Sequence, residues 1–562
     1  MHTLAPNPPV DARRRASSRI QDCQMTLTQV FDESAGRHAG RMAVVCQGFG
    51  HTYESLARRA RDFACRLVNE GVKPGDRVIL LLRNSPEYLV AYFATLGVGA
   101  VVVPLNPNST VHELRPLLMH CEPRMVLCRE EVQSSLRTLV SALPFRCQLL
   151  VEGELRLGSA HASGPSCPQG STSPERAPKA FPLTGAPEAP ALILYTSGTT
   201  GKPKGVTLTH RSLLANTTGI VEYLQLTRED RLCVILPFFY SYGNSLLLTH
   251  VYAGGTLVLA DNFLYPNQVV ELMVRERVTG FSGVPSSFAM LLRRSVFPST
   301  RFPDLRYVTC AGGALSRPQI EELRSCLRSV AIFVMYGQTE ASARLSYLPP
   351  GDLDRKLGSI GRGMPGVELS VCRPDGTKVA PGEIGEIVAR GSCLMTGYWR
   401  DPEETLRALK GGWLWTGDMA TVDEEGFIFI KGRASDMIKS SSYRINPEEI
   451  EEVINSYAGI VESAVVGMAD EMLGESITAF AVCAKDQPAS ESGLLQHLRE
   501  FLPVHKLPRR IVFCEPLPRT ESGKIRRQAL REKLAQQGVD PERSVASPDA
   551  GISCSGPREC GA

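Results

Sequence analysis

No Cys-X-X-Cys pair and no Cys/His cluster at zinc-ligand spacing occurs in this sequence, although it holds 16 cysteines. That excludes a structural zinc module and a dithiol redox motif. Cys46, Cys65, Cys233 and Cys310 sit in apolar runs, where cysteine acts as a small hydrophobe. The reading is a reduced, cytoplasmic chain without structural disulfides. Long hydrophobic runs are missing too. The longest, such as residues 92–105, fall short of the ~20 residues that a helix needs to cross a bilayer. Neither sign of charge dominates: 62 Lys and Arg against 59 Asp and Glu leave +3. That is too even for nucleic acid or an anionic membrane as the main partner. No internal repeat is visible. What is present is 43% hydrophobic and 22% charged residues over 562 positions, a globular composition too long for one core.

Residues 1–24 are polar, carry Arg13, Arg14, Arg15 and Arg19, and lack the apolar centre of a secretory signal. They read as a disordered extension. From residue 26 to about 148 helical and strand patterns alternate. Leu56, Ala60, Phe63, Ala64 and Leu67 give residues 55–70 one apolar face, which predicts a helix stopped by Gly71. A strand over 78–82, a helix over 86–97 and a strand over 101–105 follow. Helices alternating with continuous apolar strands imply a mostly parallel sheet covered on both faces. Residues 153–190 are rich in Pro, Ser, Gly and Ala, carry little that could form a core, and read as a flexible surface insertion. The rhythm resumes at 191 and runs to about 431. Residues 433–536 read as a compact α+β unit, with helices over 447–457 and 491–502 and strands over 461–466, 477–484 and 510–514. The expected domains are therefore 25–432 and 433–536, followed by a disordered tail over 537–562.

The strongest motif is YTSGTTGKPKG at 195–205, directly after an apolar strand. Gly198, Gly201 and Gly205 allow close approach of backbone to a ligand. Thr196, Ser197, Thr199 and Thr200 offer hydroxyls, and Lys202 and Lys204 positive charge. Such a loop suits a polyphosphate. It is not a Walker loop: Gly198 and Gly201 are too close together, and Pro203 bars Lys202 from leading into a helix. The motif resembles the phosphate-binding signature of the adenylate-forming superfamily. That family includes acyl-CoA synthetases, peptide-synthetase adenylation domains and firefly luciferase. Further motifs fall in family order across residues 26–536.

Met335-Tyr-Gly-Gln-Thr-Glu340 pairs an aromatic ring with a glycine, a hydroxyl and a hard carboxylate. The resemblance puts Tyr336, with Gly337 and Gln338, on the adenine, Thr339 on the α-phosphate and Glu340 on Mg²⁺. It assigns Gly312, Gly313 and Ala314 to a wall shared by the adenine and acyl pockets. It places the ribose hydroxyls on Asp418 of Trp415-Thr-Gly-Asp418 and on Arg433. By itself such an Asp reads as a turn residue. Lys439 is implied in the thiol half-reaction, and Lys524, in the loop at 518–524, as the cation bridging carboxylate and α-phosphate. A mobile point charge suits that task. One departure stands out: Ser442 occupies a position where the family usually has glycine, beside the path of the thiol's pantetheine arm.

The resemblance thus implies an α/β fold: a large N-terminal domain of mixed and parallel sheets flanked by helices, plus a small mobile C-terminal α+β domain. The implied chemistry has two halves. A carboxylic acid attacks Mg·ATP to give an acyl-adenylate and pyrophosphate; the thiol of CoA then takes the acyl group. The alternative acceptor is the phosphopantetheine of a carrier protein. In LPFFYSYG at 236–243 the matching family segment flanks the acyl group. Phe239, Tyr240 and Tyr242, beside Gly243, favour an apolar or aromatic acid, fatty or aryl, while Phe238 reads as core. No aspartate stands there to hold an α-ammonium, since Asp230 lies too far upstream, which disfavours amino-acid substrates.

Overall fold

The computed structural model describes residues 24–156, 180–182, 185–197, 203–260, 262–313, 315–433, 438–440, 443–470, 474–484, 489–514, 516–519 and 525–536. The chain divides between Ile430 and Lys431 into two compact units.

The larger unit is built on three sheets. The first has nine strands, and six of them run parallel at its centre: Ala331–Tyr336, Tyr307–Cys310, Gly280–Gly283, Arg231–Val234, Thr256–Leu259 and Met42–Cys46. Antiparallel strands close both edges. The second has seven strands. Pro190–Ser197, Val101–Pro104, Arg77–Leu81, Met125–Cys128 and Gln148–Val151 are parallel. Pro203–Thr209 then returns antiparallel to Pro190–Ser197.

One hydrophobic core carries residues of both sheets and of the helices Tyr53–Asn69 and Pro86–Gly97. The first of these helices starts where the Thr52 side chain accepts from the Ser55 N–H, and it buries Leu56, Ala60, Phe63, Ala64 and Leu67, as their spacing predicts. Gly71 follows at φ +80. Every residue of Pro86–Gly97 is buried, the signature of a helix with no solvent face. Its Phe93 stacks on Phe31 with centroids 4.0 Å apart.

Two sequence expectations need correction. Two described residues of the segment 153–190 do contribute to the core: Leu155 and Phe181 are buried, and a Cβ at Gly97 would lie 2.0 Å from the Phe181 ring, whereas residues 157–179 and 183–184, with the insertion expected there, lie outside the described residues. One aromatic residue in a Pro/Ser-rich stretch gives no periodic signal, so the seat on the helix was invisible. The parallel rhythm also does not continue to residue 431. Val367–Cys372, Gly385–Gly391, Trp413–Val422 and Leu409–Lys410 form a separate antiparallel sheet. Glycine-bearing turns join Val367–Cys372 to Gly385–Gly391 and Leu409–Lys410 to Trp413–Val422, while the short helix Pro402–Ala408 leads into Leu409–Lys410.

The smaller unit pairs Ile460–Asp470 with Gly474–Cys483 antiparallel and adds Arg510–Phe513 in parallel. Helices Pro447–Ser456, Glu491–Phe501 and Arg527–Gln536 complete it. Ile450, Ile454, Val465, Ala479, Leu494 and Leu498 form one of its cores. The whole is an α/β protein with a large N-terminal part and a small C-terminal α+β part. Among the described residues no helix is long and apolar enough to cross a membrane.

Candidate nucleotide and acyl site

The glycine- and hydroxyl-rich motif spans a β-hairpin, not a strand–loop–helix. Ser197 and Pro203 form the last pair of its ladder, and Thr196 pairs with Lys204. Gly198, Thr199, Thr200, Gly201 and Lys202 lie outside the described residues. Tyr195 is fixed from the neighbouring helix by a 2.8 Å hydrogen bond between its hydroxyl and His120 Nδ1. Lys204 departs from expectation: its ammonium pairs with Glu404 and lies over the Tyr398 ring, 5.3 Å from the centroid. It ties down the hairpin rather than offering a free charge to phosphate.

Tyr336 ends a parallel strand of the first sheet, and the chain turns at once. A Cβ on Gly337 would sit 1.8 Å from the Ala343 carbonyl oxygen, so glycine is required. Here the structure joins two motifs separated in sequence: the Tyr336 hydroxyl donates to Asp418 Oδ2 at 2.6 Å. Asp418 is buried, 6% exposed. It stands inside the strand Trp413–Val422, not at a turn as its local sequence suggested. The strand bulges, for its register against Gly385–Gly391 shifts between Glu386 and Val388, and Gly417 takes φ +76. Such a bulge re-aims one side chain. Glu386 fixes it by accepting the Gly417 N–H at 2.8 Å. Burial raises the Glu386 carboxyl; the Gly417 N–H and Lys410 pull it down, and Asp418 adds to the rise.

Thr339 and Glu340 follow on one short turn. Thr339 Oγ1 donates to Ser241 Oγ at 3.3 Å. Glu340 Oε1 accepts from the Tyr398 hydroxyl at 2.9 Å. No group of three or more His, Cys, Asp or Glu that could hold a metal occurs among the described residues. A lone carboxylate fits Mg²⁺, which keeps several waters and draws other ligands from substrate phosphates. Gln338 Nε2 is buried without a hydrogen-bond partner among the described residues. An orphaned donor of that kind is open to a ligand acceptor. On the next strand end Gly312 takes φ +84, and a Cβ there would meet Val284 at 3.3 Å. Ala314 lies outside the described residues.

The acyl-flanking segment is held from both sides by Asn84, which donates to the Leu236 carbonyl at 2.9 Å and accepts from the Phe238 N–H at 2.8 Å. Phe238 is fully buried against Tyr88, the core role expected of it. Phe239 and Tyr240 remain half-buried with ring centroids 4.3 Å apart. A Cβ on Gly243 would lie 1.9 Å from the Pro237 carbonyl oxygen, so this glycine lets the helix Ser241–Ala253 start against the segment. The Tyr242 hydroxyl is bound to Thr309 Oγ1 at 2.8 Å. Asp230 is indeed remote, paired with Arg306 at 2.7 Å.

Ser241, Tyr398, Glu386 and Asn84 escaped the sequence reading. Each acts through a partner far along the chain, and no local spacing marks such a pair. In the smaller unit Lys524 lies outside the described residues. Arg433 and Lys439 fall on strands, but their side chains are outside the description, as is that of Ser197 in the larger unit.

A parallel strand end whose tyrosine tethers a buried aspartate of the antiparallel sheet, followed at once by a Thr-Glu turn, is an arrangement suited to a nucleotide. The comparisons give the family. Residues 31–399 match the AMP-binding enzyme model, and residues 449–524 match the AMP-binding enzyme C-terminal domain. The chain belongs to this AMP-binding enzyme family. It is 33% identical over 520 residues to the indoleacetate–CoA ligase of Aromatoleum aromaticum, covering 91% of this chain and 99% of that protein. It is 32% identical over 519 residues to the fatty acid–[acyl-carrier-protein] ligase ScoC of Streptomyces coeruleorubidus, covering 91% and 96%. Among solved structures, the O-succinylbenzoate coenzyme A synthetase of Bacillus subtilis in complex with ATP and magnesium ion superposes with a TM-score of 0.78. That match has 28% identity and covers 89% of this chain and 99% of that one. The protein is an AMP-forming acid–thiol ligase: it binds ATP and activates a carboxylic acid as its adenylate before transfer to a thiol.

Proposed function

We propose that the site at 195–205, 335–340 and 418 activates a fatty or aryl carboxylic acid and that CoA is the accepting thiol. The observation that carries this reading is the Tyr336–Asp418 hydrogen bond, since it brings the two residues expected to face adenine and ribose into one place. Asp418 accepts the ribose hydroxyls, and Tyr336, Gly337 and Gln338 border the base. Thr339 donates to the α-phosphate, and the hairpin loop from Thr196 through Ser197, Gly198, Thr199, Thr200 and Gly201 to Lys202 wraps the outer phosphates. A magnesium ion on Glu340 would neutralise phosphate charge. Tyr398 holds that carboxylate in one rotamer. Phe239, Tyr240 and Gly243, with Gly312, Gly313 and Ala314, border the acid. Arg433 serves the ribose, Lys439 the thiol step and Lys524 the bridge between carboxylate and α-phosphate. Catalysis is then chiefly positioning and charge neutralisation.

The second reading, transfer to a carrier-protein phosphopantetheine, is favoured by the similarity to the ScoC ligase. ATP–pyrophosphate exchange with a panel of carboxylic acids tests activation. Trapping the product with CoA against a holo carrier protein separates the two acceptors. Lys524→Ala is expected to abolish exchange while leaving transfer from a supplied acyl-adenylate largely intact; equal loss of both would refute the division of labour.

A further inference from the structure

Arg344 is 2% exposed, and no described Asp or Glu pairs with it. Its Nε has no hydrogen-bond partner among the described residues. The contacts it does make are to neutral groups: the guanidinium lies over the Tyr242 ring, 4.6 Å from the centroid, and the Tyr223 hydroxyl faces it. Burying a cation without a counter-charge is unfavourable, and a cation–π contact offsets only part of that cost. The position is nonetheless tightly specified. The Arg344 carbonyl accepts from Asn216 Nδ2 at 2.8 Å. Two residues earlier Ser342 is held at φ +64, its hydroxyl donating to the Cys393 carbonyl at 2.7 Å. Strain of this kind at a non-glycine residue gathers at functional sites.

The location gives the charge a purpose. Arg344 stands four residues after Glu340 and packs on Tyr242 of the acyl-flanking segment. The Tyr242 hydroxyl reaches Thr309, whose Oγ1 also bonds Ser282 Oγ at 2.7 Å. Ser282 and Thr309 are each 1% exposed. Thr339 and Ser241 mark the phosphate side of this segment, so Tyr242, Thr309, Ser282 and Arg344 make up its deep side. That side is polar and carries a positive charge, an unsuitable bed for the end of a plain hydrocarbon chain.

We propose that Arg344 is a specificity determinant: the acid activated here carries a second oxygen acceptor, a carboxylate, oxo or hydroxyl group, at the end remote from the reacting carboxylate, and that acceptor binds the guanidinium. This rests on the ligase reading above and narrows its substrate class. An aryl or short acyl body lies among Phe239 and Tyr240 while its far end meets Arg344.

The test is ATP–pyrophosphate exchange on matched acids that differ only at the far end: hexanoic, 6-hydroxyhexanoic and adipic acids, and cinnamic, 4-hydroxycinnamic and 4-carboxycinnamic acids. The wild-type enzyme should favour an acceptor-bearing member of at least one set over its parent by about tenfold or more in kcat/KM. The hydroxyl and carboxylate arms tell which acceptor is meant. In Arg344→Met that ratio should fall to within about threefold, through a raised KM for the acceptor-bearing acid. Arg344→Lys, which keeps the charge without the planar fork, should retain part of it. A wild-type enzyme indifferent to the acceptor, or a preference surviving in Arg344→Met, overturns the proposal. Exchange with the parents alone sinks only the role of Arg344, whereas no exchange with any acid sinks the ligase reading itself.

Discussion

The strands Arg231–Val234, Gly280–Gly283 and Tyr307–Cys310 have two ends, and the ends are built to opposite rules. Before the strands begin, Asp230, Thr279 and Arg306 close on one another. Arg306 grips both Asp230 oxygens at 2.7 and 2.8 Å, and Thr279 and the Thr227 N–H complete the carboxylate's shell. Burial alone would raise the Asp230 carboxyl, but those hydrogen bonds outweigh it and hold it below its ordinary value. Beyond the other end, among the described residues, stand Arg344 without a carboxylate partner, Gln338 with an unbound Nε2 and two tethered carboxylates. In open parallel sheets ligands bind at the carboxyl ends of the strands. Full satisfaction of polar groups marks the end that holds the fold; incompleteness marks the end that meets substrate.

The contrast is broken most forcefully at the closed end. Asp230→Ala leaves a partly buried guanidinium without its partner, and loss of one member of such a pair costs roughly 3 kcal/mol. Urea denaturation should show that loss, with activity per folded molecule little changed. An unchanged midpoint would mean that the Asp230–Arg306 pair is not what secures this end.

The second effect is on pH. His250, hydrogen-bonded at 3.3 Å to the Tyr307 hydroxyl, lies behind the same network with Asp230 and Arg306 nearby. Burial pushes it down to about 4, and the Leu246 carbonyl and Asp230 resist only in part. His210, which accepts the Leu27 N–H, is lowered by burial to about the same value. Both are neutral in the fold, so between pH 6.5 and 4 the unfolded chain binds protons that the folded chain refuses. Stability should therefore drop across that window, by up to roughly 3 kcal/mol per histidine. Asp230 contributes nothing there, because its depressed carboxyl loses its contribution only as pH falls below the ordinary aspartate value. Unfolding midpoints at pH 7, 6 and 5 check this, and a flat profile would exclude it.

At the open end smaller changes should appear as altered kinetics, not altered stability. Asp418→Asn should raise the KM for ATP and lower exchange by on the order of tenfold or more, since a charged acceptor is lost. Tyr336→Phe removes one neutral donor and should cost about 1 kcal/mol, roughly fivefold in kcat/KM. Equal effects of the two would mean that Asp418 acts only by anchoring the tyrosine.

How much of this could be read from sequence follows the same division. Local periodicity placed the helices at 53–69 and 86–97, the strands at 77–81 and 101–104, and the strands at 460–470, 474–483 and 510–513 to within about four residues, because each buries a face defined by its own spacing. For most other strands of the larger unit periodicity gave no range. The residue types of the site were legible too, through motif resemblance. Their partnerships were not. Tyr336 and Asp418 are 82 residues apart, and the bulge that aims Asp418 depends on Glu386 in another strand. Lys204 looked like a free cation because Glu404 is 200 residues away. Arg344 drew no reading at all, since neither its burial nor the absence of a described carboxylate partner shows in a string of letters.

The sharpest use of the comparison is also the smallest effect. Arg306 and Arg344 both lie against this sheet, yet their surroundings predict opposite responses to loss of charge. Replacing a buried ionic group by an apolar side chain of similar volume is often neutral or stabilising, because the desolvation cost disappears with the charge. Arg344 has no carboxylate to leave behind, so Arg344→Met strands no partner. It gives up the cation–π contact on Tyr242 and the contact with the Tyr223 hydroxyl, both with neutral groups. Its unfolding midpoint should match or slightly exceed that of the wild type, by at most about 1 kcal/mol, while Arg306→Met, which abandons Asp230, should fall well below. A loss at Arg344 as large as the loss at Arg306 would show that the guanidinium is a structural member after all, and the two ends of the strands would no longer be distinguished by what they leave unpaired.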